Sequence, residues 1–318
     1  MAPRTGRGAP PPAPLAAIVG PTASGKSELA LAVAPLLPAE LVVADSRQVY
    51  RGLEIGTAKP TGPQRAGVPH HLLDLVDPDQ PFTVADWVAA ARAVLPGIAE
   101  RGAVPLLVGG TGLYVSALVE GYDFNAEAFS PAIRTALTAR LEHEGLEPLA
   151  TELAARHPGV AARTDLRNPR RVLRALERTL AGDAGGQPSG RPYPGRLALL
   201  GISRPRAELY RRIDARAERL FASGLVDEVR GLLETGYAPE LPPLTGIGYR
   251  EAAGVAMREW SVEAAIAATA RRTRQYAKRQ LSWFRRDQRI AWIAAGDTPG
   301  DDPVLVARAT DLIRRLIA

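Results

Sequence analysis

Eight residues, Gly20-Pro21-Thr22-Ala23-Ser24-Gly25-Lys26-Ser27, constrain this chain more than any other stretch. They match G-x-x-x-x-G-K-[ST], a loop whose glycines let successive backbone N–H groups curl around a phosphate. Such a loop works only between a strand and a helix, where the helix N-terminus adds its favourable dipole. Leu15 to Gly20, a short run rich in branched apolar residues, supplies the strand, and Ser27 to about Leu37 supplies an Ala/Leu helix. In this setting Lys26 neutralises phosphate oxygens and the Ser27 hydroxyl ligates Mg²⁺. A diphosphate from any source fits the cradle, so phosphate binding is expected and a nucleotide is not required.

The rest of the chain repeats the same grammar. Leu41-Val42-Val43-Ala44-Asp45 reads as a second buried strand ending on an acid, and Val104 to Val108 as a third, ending in Gly109-Gly110-Thr111-Gly112. A helix over Thr83 to Glu100, with Thr83 as N-cap, lies between them. Strands alternating with helices predict an α/β fold, a parallel sheet with ligands at its carboxyl edge. From about Asp123 to Arg191 helices follow one another without strands, up to a Gly-rich stretch over Gly182 to Gly195. A strand returns at Leu197 to Ile202, followed by helices over Pro205 to Thr235, Tyr249 to Met257 and Ser261 to Asp287. A last strand at Ile290 to Ala294 precedes a C-terminal helix. The expected organisation is a P-loop NTPase-like core over residues 15–122 and 197–318, flanked by helices. An all-helical insertion domain occupies residues 123–196, and residues 1–14 form a Pro/Ala-rich disordered tail without the apolar stretch of a signal peptide.

Composition narrows the class. No apolar run approaches the roughly 20 residues of a membrane span, and zero cysteines exclude disulfides, thiolate nucleophiles and Cys-ligated zinc. The four histidines, His70, His71, His143 and His157, lack the spacing of a metal cluster; the His70-His71 pair suits a loop or core position. Trp87 and Trp292 sit in apolar runs and are expected in the core. These features describe a cytoplasmic protein, and nothing calls for more than a monomer. The net charge of +6 permits a polyanionic partner. Of 40 basic residues only Lys26, Lys59 and Lys278 are lysines. A lysine kept in so Arg-biased a chain suggests a place where a compact ammonium is needed.

Three constellations carry candidate chemistry. Asp45 ends the second strand and points into the crevice of the phosphate loop, where a carboxylate can ligate Mg²⁺ or accept a proton; an Asp-Ser pair also suits a helix N-cap. Arg212 and Arg216, four apart on one helix, suit a diphosphate or a solvated face. Two basic stripes follow. Arg163, Arg167, Arg170, Arg171, Arg174 and Arg178 run along a helix opened by Asn168-Pro169. In the longest helix Arg271, Lys278, Arg286 and Arg289 share a face flanked by Arg272 and Arg279, with Tyr276, Trp283 and Phe284 elsewhere on its surface. Each stripe reads as a solvated face or as a nucleic-acid contact.

The phosphate loop together with Asp45-Ser46-x-Gln48-x-Tyr50-x-Gly52-x-x-Ile55-Gly56-Thr57-Ala58-Lys59-Pro60 resembles the bacterial tRNA dimethylallyltransferases. The resemblance runs on through Pro69-His70-His71-Leu72, Val108-Gly109-Gly110-Thr111-Gly112-Leu113-Tyr114, Asn168-Pro169-Arg170-Arg171-Val172-Leu173-Arg174, Gly246-Ile247-Gly248-Tyr249-Arg250-Glu251 and Thr273-Arg274-Gln275-Tyr276-Ala277-Lys278-Arg279-Gln280, so ordered blocks span Gly20 to about Phe284. The zinc-binding extension of some eukaryotic relatives is absent.

The resemblance implies that the loop from Gly20 to Ser27 holds dimethylallyl diphosphate with Mg²⁺, aided by Arg212 and Arg216. The acceptor is N6 of the adenosine beside the anticodon, position 37, in tRNAs reading codons that begin with U. Asp45 takes the amine proton, while Lys26 and Ser27 hold the developing diphosphate charge. Thr111 matches a position that meets tRNA near the reacting base, with a helix N-cap as its other reading. Implied contacts to the anticodon stem-loop are Asp45, Ser46, Arg47, Gln48, Thr111, Arg134, Arg170, Arg171 and Arg174, and the segment Arg274 to Leu281 with Arg274, Lys278, Arg279 and Gln280. The base must be flipped out of its stack, a cost of a few kcal/mol that Arg contacts to the backbone offset. A P-loop small-molecule kinase shares the loop and the sheet and is the alternative.

Overall fold

The computed structural model describes residues 12–122, 131–182 and 190–318. Most of the tail over residues 1–14, the Asp123-Phe124-Asn125 stretch and the middle of the Gly182-to-Gly195 stretch lie outside the described residues. The chain divides into two compact units, Met1–Val119 with Tyr193–Ala318, and Glu120–Pro192.

Six parallel strands form the first unit's sheet: β1 (Leu15–Val19), β2 (Ala39–Val43), β3 (His70–His71), β4 (Val104–Gly109), β5 (Leu197–Ser203) and β6 (Ala291–Ala294), in the order β3-β2-β4-β1-β5-β6. Helices α1 (Lys26–Val33), α2 (Gly62–Gly67), α3 (Val84–Glu100) and α4 (Gly112–Val119) precede the second unit. That unit holds α5 (Pro131–Glu144), α6 (Leu146–Arg156), α7 (Pro158–Ala161) and α8 (Pro169–Leu180). The first unit resumes with α9 (Arg206–Ala222), α10 (Leu225–Glu234), α11 (Tyr249–Ala256), α12 (Val262–Phe284) and α13 (Pro303–Ile317). Every residue of β1 and β2 is buried, as expected of parallel strands covered on both faces. The chain leaves β1 towards β2 and leaves β4 towards β5, which lies on the opposite side. The adjacent carboxyl ends of β1 and β4 are therefore the topological switch point, where such sheets open a crevice for ligands.

Side-chain hydrogen bonds place the strand ends around that crevice. Thr83 caps α3 in a box with Asp86, the Thr83 N–H donating to Asp86 Oδ2 at 2.8 Å and the Asp86 N–H to Thr83 Oγ1 at 3.3 Å. One turn on, the fully buried Trp87 donates its indole N–H to the Val43 carbonyl at 3.0 Å and stacks on Tyr114 at 4.7 Å. The end of β2, two residues before Asp45, is thereby fixed to α3 and α4.

The two-residue β3 is too short to show a pattern in sequence, and it is one of the sheet's two edge strands. His71 Nε2 lies 2.6 Å from Glu40 Oε2, whose carboxylate also accepts two hydrogen bonds from Arg101 at 2.7 Å. Arg101, and after it His71, holds Glu40 down to about 2 against the opposing effect of burial. The histidine pair thus closes a sheet edge, and no group of three His, Cys, Asp or Glu suited to a metal occurs among the described residues. Trp292 departs from the sequence expectation. It is half-buried across Gly201, because β6 is an outer strand with less cover than β1.

In the second unit α8 buries Val172, Ala175 and Leu176 against Leu137 of α5 and Leu149 and Leu153 of α6. Asn168 caps it, accepting from the Arg171 N–H at 3.3 Å. Glu177, fully buried, takes the guanidinium of Arg134 at 2.5 Å and that of Arg174 at 2.9 Å. A carboxylate so placed stays ionised only because both arginines meet it. Among the described residues no helix is long and apolar enough to cross a membrane.

Candidate active site

The loop after β1 needs backbone conformations that few residues adopt. Gly25 has φ +90°, and a Cβ there would come within 3.0 Å of Arg204 and 3.1 Å of Gly300. A glycine is required on both counts. The loop then feeds α1, with the Leu29 N–H donating to the Gly25 carbonyl at 2.9 Å. Lys26 and Ser27, the first residues of that helix, open onto a cavity of about 330 Å³.

That cavity has two chemically different parts. Leu41, Val43 and Asp45 line it together because a strand's side chains alternate, so i, i+2 and i+4 share one face. With Leu31 and Val108 the two aliphatic residues of β2 give an apolar wall, while Lys26 and Arg216 give a cationic one. Asp45 ends the apolar face of β2 and acts electrostatically on both cations. Burial pulls the Lys26 ammonium down to about 8, against the raising effect of Asp45 and with a further lowering from Arg216. Burial likewise lowers Arg216, which Asp45 partly offsets. Two cations crowded into a poorly solvated cavity are a site for a multiply charged anion.

Asp45 Oδ1 accepts from the Arg47 N–H at 2.9 Å, a local turn in place of a helix cap. Thr111 is likewise no cap through its side chain: Thr111 Oγ1 accepts from the Ser46 N–H at 3.1 Å, joining the ends of β4 and β2. Tyr276 of α12 comes close to Thr111 and lines the same cavity; burial, and then Asp45, raises its hydroxyl to about 12. One turn on, Gln280 accepts from the Thr22 N–H at 2.9 Å and donates to the Gly110 carbonyl at 2.8 Å. Trp283, on the same face, donates to Ser116 Oγ at 3.1 Å and packs on Gly112, where a Cβ would stand 2.3 Å from the ring. The spacing 276, 280, 283 is one helix face laid along residues 110–112.

The sequence pattern puts Tyr276, Trp283 and Phe284 away from the basic face and does not give their partners. Phe284 is buried, whereas Trp283 remains 38% exposed beside the site. The i, i+4, i+7 spacing of Tyr276, Gln280 and Trp283 is the signal in the sequence that could have assigned them to one face. The aliphatic half of the cavity was legible in the alternation of Leu41, Val43 and Asp45.

Other predicted residues are spread differently. Arg216 lines the cavity, but Arg212 is held by Glu208 at 2.7 Å and by the carbonyls of Asp297 and Thr298 at 3.1 and 2.8 Å. Gln48 lines it, with its amide donating to the Thr57 carbonyl at 3.0 Å, whereas Arg47 reaches the Pro242 carbonyl at 2.5 Å. The Lys59 ammonium is buried and saturated by Tyr50 O, Glu54 and Asp74, so this rare lysine braces the 54–74 region. Arg274 pairs with Asp214 at 2.5 Å and lies 5.7 Å over the Tyr210 ring. Arg272 is drawn in to the buried Glu251. Arg271, Lys278 and Arg279 remain exposed along α12, and Arg170 and Arg171 along α8, but α12 ends at Phe284, short of the expected Asp287, so Arg286 and Arg289 follow the helix and do not share its basic face.

Comparison with known proteins gives concordant results. The family model described as IPP transferase matches residues 48–287. A tRNA dimethylallyltransferase of Roseiflexus castenholzii is 45% identical over 307 residues, covering 95% of this chain and 98% of that protein. One from Heliobacterium modesticaldum is 45% identical over 283 residues, 87% and 88% of the two chains. Among solved structures, the full-length tRNA isopentenylpyrophosphate transferase of Bacillus halodurans is similar with a TM-score of 0.71 at 37% identity, over 95% of this chain and 96% of that one. A eukaryotic dimethylallyltransferase acting on tRNA is similar with a TM-score of 0.78 at 26% identity, over 93% and 77%.

Proposed function

The chain belongs to the IPP transferase family, and on that premise we propose that it is a tRNA dimethylallyltransferase. It moves the dimethylallyl group of dimethylallyl diphosphate to N6 of adenosine 37, 3′-adjacent to the anticodon, in tRNAs that read codons beginning with U. The observation that carries this reading is the two-part cavity. Cations at Lys26 and Arg216 suit a diphosphate, aliphatic side chains of the adjacent strands β2 and β4 suit a five-carbon tail, and Asp45, at the end of β2, acts on both cations. A small-molecule kinase would share the phosphate loop and sheet, and family membership decides against it.

The reaction makes one bond and breaks one. The adenine N6 attacks the allylic carbon, the carbon–oxygen bond to diphosphate breaks, and N6 gives up a proton. The amine is a poor nucleophile because its lone pair is delocalised into the ring, so both partners need help. Asp45 accepts the proton, held in orientation by the Arg47 N–H. Lys26, Arg216 and the N–H groups of the loop stabilise the leaving diphosphate. Thr111, fixed by the Ser46 N–H, positions the base.

The oxygen donors present suit Mg²⁺. Ser27 and Asp45 line one cavity, and magnesium keeps to one or two protein oxygens plus substrate phosphates and water. Bound there by Ser27 and the diphosphate, Mg²⁺ supplies charge neutralisation to the leaving group.

The tRNA partner is bound through its anticodon stem-loop by a monomer in the cytoplasm. Exposed arginines on α8 and α12 meet its phosphates. Because counterions are released, tRNA affinity is expected to fall at least about tenfold between about 50 and 200 mM salt. Filter binding without the donor measures this, and a flat response would remove the phosphate contacts from the account.

The decisive test incubates the purified protein with unmodified tRNA, Mg²⁺ and labelled dimethylallyl diphosphate. Label on adenosine 37 is expected. A folded protein that transfers none, beside an active control enzyme, would refute the reading.

A further inference from the structure

Packed against the phosphate loop, and centred on an arginine that does not line the cavity, lies a cluster that the reaction does not use. Arg204 follows β5, and its Nε donates to the Ser24 carbonyl at 2.7 Å. One terminal nitrogen donates to the carbonyls of Gly296 at 3.0 Å and Ala295 at 3.5 Å. The other is buried without a hydrogen-bond partner, on the side where a Cβ of Gly25 would stand 3.0 Å away. The segment from Ala295 to Gly300, between β6 and α13, is fastened at further points. Arg212 holds the carbonyls of Asp297 and Thr298, and the Gly300 N–H donates to Glu28 Oε2 at 3.0 Å. A Cβ on Gly300 would come within 2.3 Å of the Gly25 carbonyl oxygen. The segment is therefore pressed against the phosphate loop at Gly25.

The consequence follows from peptide geometry. In a trans peptide the C=O of one residue and the N–H of the next point in opposite directions. No peptide among the described residues is cis. A guanidinium that grips the Ser24 carbonyl therefore turns the Gly25 N–H away from itself, towards the cradle. Arg204 does not itself line the cavity, so its effect on a ligand there passes through the backbone.

We infer that Arg204 is a positioning residue for the donor's diphosphate, setting the Ser24–Gly25 peptide and tying it to residues 295–300. Arg212 serves the same segment, which accounts for its place outside the cavity. This inference rests on the reading of the loop as the diphosphate site.

The test measures binding of inorganic diphosphate with Mg²⁺, and separately of tRNA without donor, by calorimetry on the full chain, with thermal unfolding as the check on folding. Arg204→Met is expected to weaken diphosphate about tenfold and Arg204→Lys about threefold, since lysine can reach one carbonyl but not three. Donor KM should rise by like factors, with tRNA affinity unchanged. Diphosphate affinity within about twofold of wild type, in a folded variant, overturns the inference. So does a parallel loss of tRNA affinity, the mark of a general structural role. If Arg204→Met does not fold, Arg204→Lys decides by the same criteria. A wild-type protein that binds no diphosphate would instead refute the reading of the loop itself, and the inference with it.

Discussion

Asp45→Asn is expected to lower kcat for prenyl transfer by about 10²–10⁴-fold, the range that positioned general bases contribute. The substitution is nearly isosteric, and an asparagine oxygen can still accept the Arg47 N–H that Asp45 Oδ1 accepts at 2.9 Å. The turn after β2 therefore survives, and what is lost is the ability to take a proton from N6. Donor binding should survive too, because Asp45 is an anion near the same cations, Lys26 and Arg216, that the diphosphate needs. Single-turnover rates with saturating donor and tRNA separate these effects. A kcat within about tenfold of wild type would assign the proton to another acceptor, water included.

Lys26→Met is expected to reduce kcat/KM for the donor by about 10²–10³-fold, the scale of removing one preorganised charge from a transition state. A pH dependence accompanies it. In the free protein burial brings the Lys26 ammonium down to about 8. Below that pH the group is charged and meets the diphosphate as a cation. As pH rises through about 8 the free protein loses the proton, which an arriving diphosphate must restore. Donor affinity should therefore hold below pH 8 and fall above it, with proton uptake on binding in the upper range. The effect on stability has the opposite sense. The unfolded chain keeps this lysine protonated up to its ordinary value of 10.5, so between about 8 and 10.5 the group favours the folded state increasingly as pH rises. Calorimetry in two buffers of different ionisation enthalpy measures the proton uptake. A donor affinity that is level from pH 7 to about 9.5 would mean that Lys26 stays charged in the free site.

Much of the site was legible in the sequence because its parts are local. A phosphate loop is eight consecutive residues whose conformation depends on their own glycines and on the strand and helix beside them. Strand alternation placed Asp45 on the face of Leu41 and Val43, and the sheet's parallel topology brought every strand's carboxyl end to one edge. The family blocks extended the same legibility to function.

The partners of the charged side chains belonged to tertiary structure alone. Arg212 and Arg216 lie four apart on one helix, and local pattern treats them alike. Yet Arg216 faces the cavity while carbonyls more than 80 residues away in sequence, at Asp297 and Thr298, hold Arg212. Lys59 looked like a site lysine and is sealed among Tyr50, Glu54 and Asp74, and Arg134 and Arg174 share a buried Glu177. Thr111 stands at the head of α4, as a cap would, but its side chain joins two strand ends and does not cap that helix. Periodicity determines which face of an element a side chain occupies, because that depends only on backbone geometry. Which partner that face meets depends on long-range packing, and a guanidinium with several reachable acceptors goes to whichever ones the fold brings within hydrogen-bond distance.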